Sequence, residues 1–294
     1  MDRIRTDTLD IAYTSGGPAG GLPVLLLHGW PDAPDGWAAV TPALEAAGYR
    51  WIAPWLRGFG PTQFLDAAAP RDGSAAALAR DALDLADALG IERFAVLGHD
   101  WGGRTAYALS AIAPERIAAS VVLAIGYTPH GHFIVPDFAQ SARWWYQWLM
   151  TSDAGAAKVA ADPIGFARAQ WDTWSPPGWF DEASFAQAAE SFRNPDWVAI
   201  TLHGYRYRWG SEPLDPRYTA ERAAIAATER LRVPTLLIQG CDDRCDPPSE
   251  SEAQAEGFAG HYARLVLAGV GHFPAREAPD AVADAAVAHL RRFC

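Results

Sequence analysis

The chain has 294 residues, half of them hydrophobic and 20% charged, long enough to bury a sizeable core and too apolar for a disordered polymer. Its formal charge of -11 and pI near 5.1 would repel phosphates, so neither nucleic acid nor a membrane is an expected partner. Cys241, Cys245 and Cys294 are too few for a disulfide scaffold and fit a reducing cytoplasm, an expectation shared by an N-terminus without an apolar leader and a chain without a membrane-length apolar run.

In chain order, Arg3–Thr6 and Leu9–Thr14 read as a small antiparallel hairpin, with Ser15–Gly21 as a loop tip. Short, mostly apolar runs then follow at Val24–Leu27, Phe94–Leu97, Val121–Ile125, Thr235–Gln239 and Ala263–Leu267. Continuous apolar runs of this length, bounded by Gly or Pro, are the pattern of buried parallel strands. Helical periodicity falls between them, at Pro34–Ala47, Ser74–Leu89 and Trp101–Ile112. The alternation predicts an α/β fold with a mostly parallel sheet flanked by helices. It stops near residue 128 and resumes at Val233. The intervening stretch carries helical patterns at Phe138–Met150, Pro163–Thr173, Phe180–Phe192 and Val198–Trp209, and eight of the 13 tryptophans fall between Trp144 and Trp209. We read residues 1–128 and 230–294 as one core and 129–229 as an insertion. An insertion at the C-terminal edge of a parallel sheet lies over the ligand crevice, and clustered indoles suit an apolar cavity there.

Four segments carry chemistry. Gly98-His99-Asp100-Trp101-Gly102-Gly103 follows a strand and opens a helix. Small residues around a central one are what a sharp strand-to-helix turn needs, and such a turn lifts that side chain into the crevice. The central residue is Asp100, ionised at neutral pH. A carboxylate there can attack an sp³ carbon and form an alkyl ester, which suits an epoxide or a carbon–halogen bond better than an amide. His28-Gly29-Trp30-Pro31-Asp32 follows an earlier strand. It can aim the backbone N–H of Trp30, beside that of Trp101, at a developing oxyanion, and Trp30-Pro31 is a candidate cis bond. After the fourth run, Asp243 is the preferred acid, with Asp242 and Asp246 as competitors; after the last, Gly271-His272-Phe273 supplies a base. Nucleophile, acid, then His is the order used in this kind of sheet. Cys241 and Cys245 lack companions for a metal site.

These motifs resemble the α/β-hydrolase superfamily along nearly the whole chain, and within it the epoxide hydrolase and haloalkane dehalogenase branch. HGWPD, Arg57–Gly60, GHDWGG and GVGHF all stand at the corresponding places. The resemblance implies that the insertion is a helical cap. It implies that Asp100 forms an ester which a His272-activated water hydrolyses, with Asp243 orienting His272 and with no metal or organic cofactor needed. It further implies two cap tyrosines that protonate the epoxide oxygen: Tyr146, and either Tyr205 or Tyr207, with Tyr205 preferred. His28, Pro31, Trp148 and Tyr207 are expected to line the substrate pocket. The partners expected are a small apolar molecule and water, and a homodimer is left open. Two rivals remain. One is a hydrolytic dehalogenase with the same triad, whose leaving halide would be held by Trp101 and a cap indole. The other is a non-catalytic ligand receptor of the same fold.

Overall fold

A computed structural model describes residues 1–294. Strands β1 (Asp2–Arg5) and β2 (Leu9–Gly16) pair antiparallel and form the expected hairpin. Strand β3 (Pro23–Leu27), helix α1 (Thr41–Ala46), strand β4 (Arg50–Pro54) and the two-residue β5 (Gln63–Phe64) follow. Next come α2 (Ala75–Ala88), β6 (Phe94–His99), α3 (Trp101–Ile112) and β7 (Ile117–Leu123). The chain then runs through helices alone: α4 (Phe138–Arg143), α5 (Trp145–Thr151), α6 (Asp153–Ala161), α7 (Pro163–Trp174), α8 (Glu182–Ala189), α9 (Trp197–Arg206) and α10 (Thr219–Ala227). It closes with β8 (Thr235–Gly240), β9 (Tyr262–Leu267), α11 (Pro274–Glu277) and α12 (Pro279–Phe293).

The sheet order is β1-β2-β4-β3-β6-β7-β8-β9, parallel from β4 onward, with β5 paired to β2. The apolar runs have a direct explanation. Alternate residues of a strand face opposite sides: Leu25 and Leu27 of β3 join the core under α2 and α3, whereas Val24 and Leu26 join the core against α1 and α12. With both faces covered, most positions are apolar, and the few polar ones, such as Ser120 and Gln239, are themselves buried.

The helix α3 has the expected limits, and α2 is bracketed by Ser74, whose hydroxyl accepts from the Ala77 N–H, and by Leu89. Other boundaries differ. Pro34–Ala47 is not one helix but a 3₁₀ turn at Pro34–Trp37 followed by α1. Strand β7 begins four residues before Val121, in the small residues Ala118, Ala119 and Ser120, and ends where Ala124 turns to φ 73°. Phe138–Met150 is broken at Trp144, whose ψ of 25° separates α4 from α5. Phe180–Phe192 holds α8, started by an Asp181–Ser184 capping box, and then a 3₁₀ turn.

Candidate active site

Asp100 sits between β6 and α3 with φ 47° and ψ -108°, a conformation that non-glycine residues avoid. The surrounding glycines allow it. A Cβ on Gly102 would stand 2.1 Å from the Leu27 carbonyl oxygen, and one on Gly98 would stand 2.2 Å from that of Gly102. The helix therefore starts hard against β3, and its first turn carries the carboxylate into the crevice.

The Trp30 backbone N–H donates to Asp100 Oδ1 at 2.9 Å, and the Trp30-Pro31 peptide is cis. The Trp101 N–H lies at the first position of α3, where no helical acceptor exists. Asp100 Oδ2 faces His272 Nε2 at 3.8 Å, too far for a hydrogen bond, and that buried nitrogen has no partner. On the other side of the ring, His272 Nδ1 meets Asp243 Oδ2 at 2.8 Å. Asp243 Oδ1 accepts from the Cys245 and Asp246 N–H groups. Of the three candidate acids, Asp243 is the one bonded to His272. Asp246 lies nearby and takes only the Cys245 thiol, and Asp242 is exposed.

The charges are coupled. Burial raises the carboxyl of Asp100, but the adjacent His272 outweighs it and brings the group down to about 2. Burial lowers His272, but Asp243 and Asp100 hold it well above the ordinary histidine range. The resting pair is carboxylate beside imidazolium.

Above this triad lies an aromatic box. Tyr146 from α5 and Tyr205 from α9 meet edge to face at 5.3 Å, and both pack on the buried Trp30, whose indole N–H donates to Thr201 Oγ1. Burial pushes both phenols well above their usual pKa, so both keep their protons. The Tyr146 hydroxyl accepts from Gln147 Nε2 at 3.1 Å and lies 3.6 Å from Cys245 Sγ; the Tyr205 hydroxyl sits near the Trp101 indole N–H without hydrogen-bond geometry.

Some expected pocket residues are placed elsewhere. His28 commits both ring nitrogens to the backbone, donating from Nδ1 to the Gly29 carbonyl and accepting the Leu56 N–H at Nε2. Burial lowers it to about 4, so the ring is neutral and braces two loops rather than facing a ligand. Trp148 donates to the Ser141 carbonyl and packs at a tilt on Trp209, ring centres 4.5 Å apart, outside the box. Tyr207 points the other way from Tyr205, against Phe133 and His203, as expected two residues along a helix. Pro31 is buried and its carbonyl accepts the Trp171 indole N–H.

Sequence reasoning missed several positioning groups. Trp174 lies edge-on to His272 at 4.7 Å. Ser175 Oγ accepts the His272 N–H at 2.8 Å and donates to Glu277, which also takes the N–H groups of Gly271 and Phe273. His99 Nε2 donates to the His272 carbonyl oxygen at 2.7 Å. The bonds of Ser175 and His99 span long separations in sequence and leave no local pattern. As to metals, Cys245, Asp246 and His272 place one ligand atom each within 4.8 Å, but both His272 nitrogens face carboxylates, Nδ1 bonded to Asp243 and Nε2 toward Asp100.

Residues 23–279 match the α/β hydrolase fold family. The chain belongs to the α/β-hydrolase superfamily, in its epoxide hydrolase branch. It is similar to a solved structure of a provisionally assigned epoxide hydrolase from Klebsiella pneumoniae, with 38% identity, a TM-score of 0.91, and 99% of this chain and 97% of that one covered. It is 26% identical to epoxide hydrolase A of Mycobacterium tuberculosis over 98% of this chain and 96% of the relative. It is 31% identical to a fluoroacetate dehalogenase from a Burkholderia species over 68% of this chain and 65% of that enzyme. The α/β-hydrolase is thus an enzyme of the hydrolase class. No helix in it is long and apolar enough to cross a membrane.

Proposed function

We propose that this hydrolase opens an apolar epoxide to a diol through an alkyl ester on Asp100. The observation that carries this reading is the placement of two protonated tyrosines, Tyr146 and Tyr205, in one aromatic box with Trp30, the residue that donates to the Asp100 carboxylate. In the first step Asp100 Oδ2 attacks a ring carbon and the ring C–O bond breaks. The departing oxygen takes a proton from a phenol, since an alkoxide is a stronger base than a phenolate. Oδ1 stays under the Trp30 N–H. In the second step His272 passes its resting proton to the phenolate, Nε2 then removes a proton from water, and the water oxygen attacks Cγ of Asp100. The tetrahedral oxyanion on Oδ1 is held by the Trp30 and Trp101 N–H groups. Collapse breaks the Cγ–Oδ2 bond, His272 returns that proton to the leaving oxygen, and the remaining carboxyl proton passes to Nε2 and restores the resting pair. The helices between β7 and β8 act as a cap that keeps bulk water from the ester.

The bond accounting supplies the test. The first diol carries off the old Oδ2, and the solvent oxygen stays on Asp100. With enzyme in excess over an aryl epoxide in ¹⁸O-water, the label is expected in the Asp100 peptide. Label in the first-turnover diol with an unlabelled peptide means direct hydration and sinks the ester route.

One observation favours a second reading, hydrolytic dehalogenation. The buried indole N–H groups of Trp101 and Trp174 have no acceptor, and weak N–H donors suit a leaving halide. That reading predicts free halide from haloalkanes and no dependence on the tyrosine hydroxyls. Diol without halide from paired substrate panels decides against it.

A further inference from the structure

The loop that carries the acid of the triad also carries a cysteine that the ester route leaves idle. Cys245 is wholly buried, two residues after Asp243. Its N–H donates to Asp243 Oδ1, and its carbonyl oxygen accepts from Gln140 Nε2 of α4. Held from both sides, its sulfur meets two groups. Sγ stands 3.5 Å from Asp246 Oδ2 and 3.6 Å from the Tyr146 hydroxyl oxygen.

The directions of these bonds follow from their ends. A carboxylate only accepts, so Asp246 takes the thiol proton. The Tyr146 oxygen already accepts from Gln147 Nε2, so its own O–H is left to point at a sulfur lone pair. Beyond Asp246, a ring nitrogen of His272 lies within 4.8 Å of both Sγ and a carboxylate oxygen of Asp246, a gap that one water molecule bridges. Exchangeable protons therefore run in a line from Tyr146 through Cys245 and Asp246 to His272. The Tyr205 hydroxyl has no such line. Its neighbour is the Trp101 indole, a donor only.

The ester route needs a path of this kind. Ring opening leaves a phenolate that has to take the resting proton of His272 before Nε2 can act as a base. Tyr146, Cys245 and His272 are all buried, so bulk water is not at hand to supply that proton. Phenol and thiol have neighbouring ordinary pKa values, about 10 and about 8.5, and burial pushes both well up. The thiol keeps its proton at rest, and exchange with a phenolate is close to level. Burial also raises Asp246 against the pull of Arg104, which makes it a ready acceptor for the imidazolium proton.

We propose that Cys245 and Asp246 relay the His272 proton to the Tyr146 phenolate. The thiol turns from Asp246 to the phenolate, and the S–H bond breaks as the phenol O–H bond forms. Asp246 then protonates the sulfur with the proton that it takes from the imidazolium. One N–H bond is lost and one O–H bond is gained, thiol and carboxylate end as they began, and Nε2 is free to deprotonate water. Both residues act through Tyr146 and His272 rather than on the substrate, and the proposal rests on the ester reading of the reaction.

Rapid-quench single turnovers of an aryl epoxide at neutral pH read ester formation and ester loss separately. In Cys245→Ala the ester should form within a few-fold of the wild-type rate, because Tyr146 keeps its first proton. Its loss should slow about tenfold or more, because His272 stays protonated. Cys245→Ser, whose hydroxyl exchanges protons, should bring the loss back to within a few-fold of wild type. Asp246→Asn cannot take up the proton and should slow ester loss as Cys245→Ala does; it also decides the matter should Cys245→Ala not fold. A thiol that only fills space would move both rates or neither. Ester loss at the wild-type rate in Cys245→Ala or Asp246→Asn, or equal slowing in the Ala and Ser variants, overturns the relay and leaves the ester route standing. No ester in His272→Gln is the separate failure of that route, and takes the relay with it.

Discussion

Replacing the two tyrosines by Phe, singly and together, tests the leaving-group step and separates it from packing. The hydroxyls differ in the free enzyme. That of Tyr205 has no hydrogen bond, whereas that of Tyr146 accepts from Gln147 Nε2 at 3.1 Å. Tyr205→Phe therefore removes a buried polar group without breaking a bond and should leave stability unchanged or slightly raised. Tyr146→Phe strands a buried amide donor on Gln147, whose Oε1 is already unpartnered, and should cost about 1–3 kcal/mol. Both changes keep the rings and so the 5.3 Å edge-to-face contact between them. For catalysis the single losses should be partial, because either phenol can still protonate the ring oxygen. A positioned acid contributes about 10²–10⁴. Each single variant is expected to lose about tenfold to a hundredfold in kcat/KM for diol formation, and the double variant about a thousandfold or more, equivalent to about 4 kcal/mol. Stopped-flow diol assays beside urea denaturation give both quantities. A folded double variant that keeps diol turnover within a few-fold of wild type refutes the role of these hydroxyls.

Further consequences can be measured on the same protein. His272→Gln should form the Asp100 ester and stop there, seen as a mass increase equal to the intact substrate; an unmodified protein after incubation with a turned-over epoxide contradicts the base role. The ester should build up at acid pH, because Asp100, at about 2, stays a nucleophile while a protonated His272 cannot take a proton from water. Rapid quench at about pH 5 and about pH 8 should trap more ester at the lower value, and an equal fraction at both would count against this. Asp81→Ala leaves Arg57 buried beyond a 2.6 Å ion pair, and should lower unfolding free energy by about 3–5 kcal/mol, read from the urea midpoint. Gly102→Ala places a methyl 2.1 Å from the Leu27 carbonyl oxygen; it should destabilise the fold by about 1–3 kcal/mol or more, and a fully active, equally stable variant would show that the start of α3 is less tightly held than it looks.

The parts of the site that were legible in the sequence are those set by neighbours along the chain. Gly98, Gly102 and Gly103 around Asp100 encode one turn, and the backbone there adopts it. Strand β4 was not legible, because Arg50, Trp51 and Pro54 interrupt its apolar pattern where it carries the sheet from β3 to the antiparallel β2. The choice among Asp242, Asp243 and Asp246 was open for a similar reason. Three carboxylates within five residues look alike until the loop is folded, and only then does one turn toward His272. His28 was misplaced because its motif says where the backbone goes, not which face the ring takes. Tyr146 and Cys245 are far apart in sequence, and their contact is a tertiary fact.

On the proposed ester route, the resting electrostatics would let one imidazole serve two steps that want opposite things from it. Before alkylation, two carboxylates flank His272, Asp243 at 2.8 Å on Nδ1 and Asp100 at 3.8 Å from Nε2, and both favour the proton on the ring. That proton lowers Asp100 and keeps it ionised, which the attacking group requires. Ester formation then removes the charge on Asp100. The imidazolium loses one of its two counter-ions while burial continues to disfavour its charge. Its acidity rises at the moment a neutral base is needed, and the freed Nε2 already points at the ester. The long separation from Asp100 is suited to this. A closer contact would bind the resting proton more tightly and leave less room for the water that must approach Cγ. Asp243, bonded to Nδ1 throughout and fixed by the Cys245 and Asp246 N–H groups, keeps the ring turned the same way in both steps.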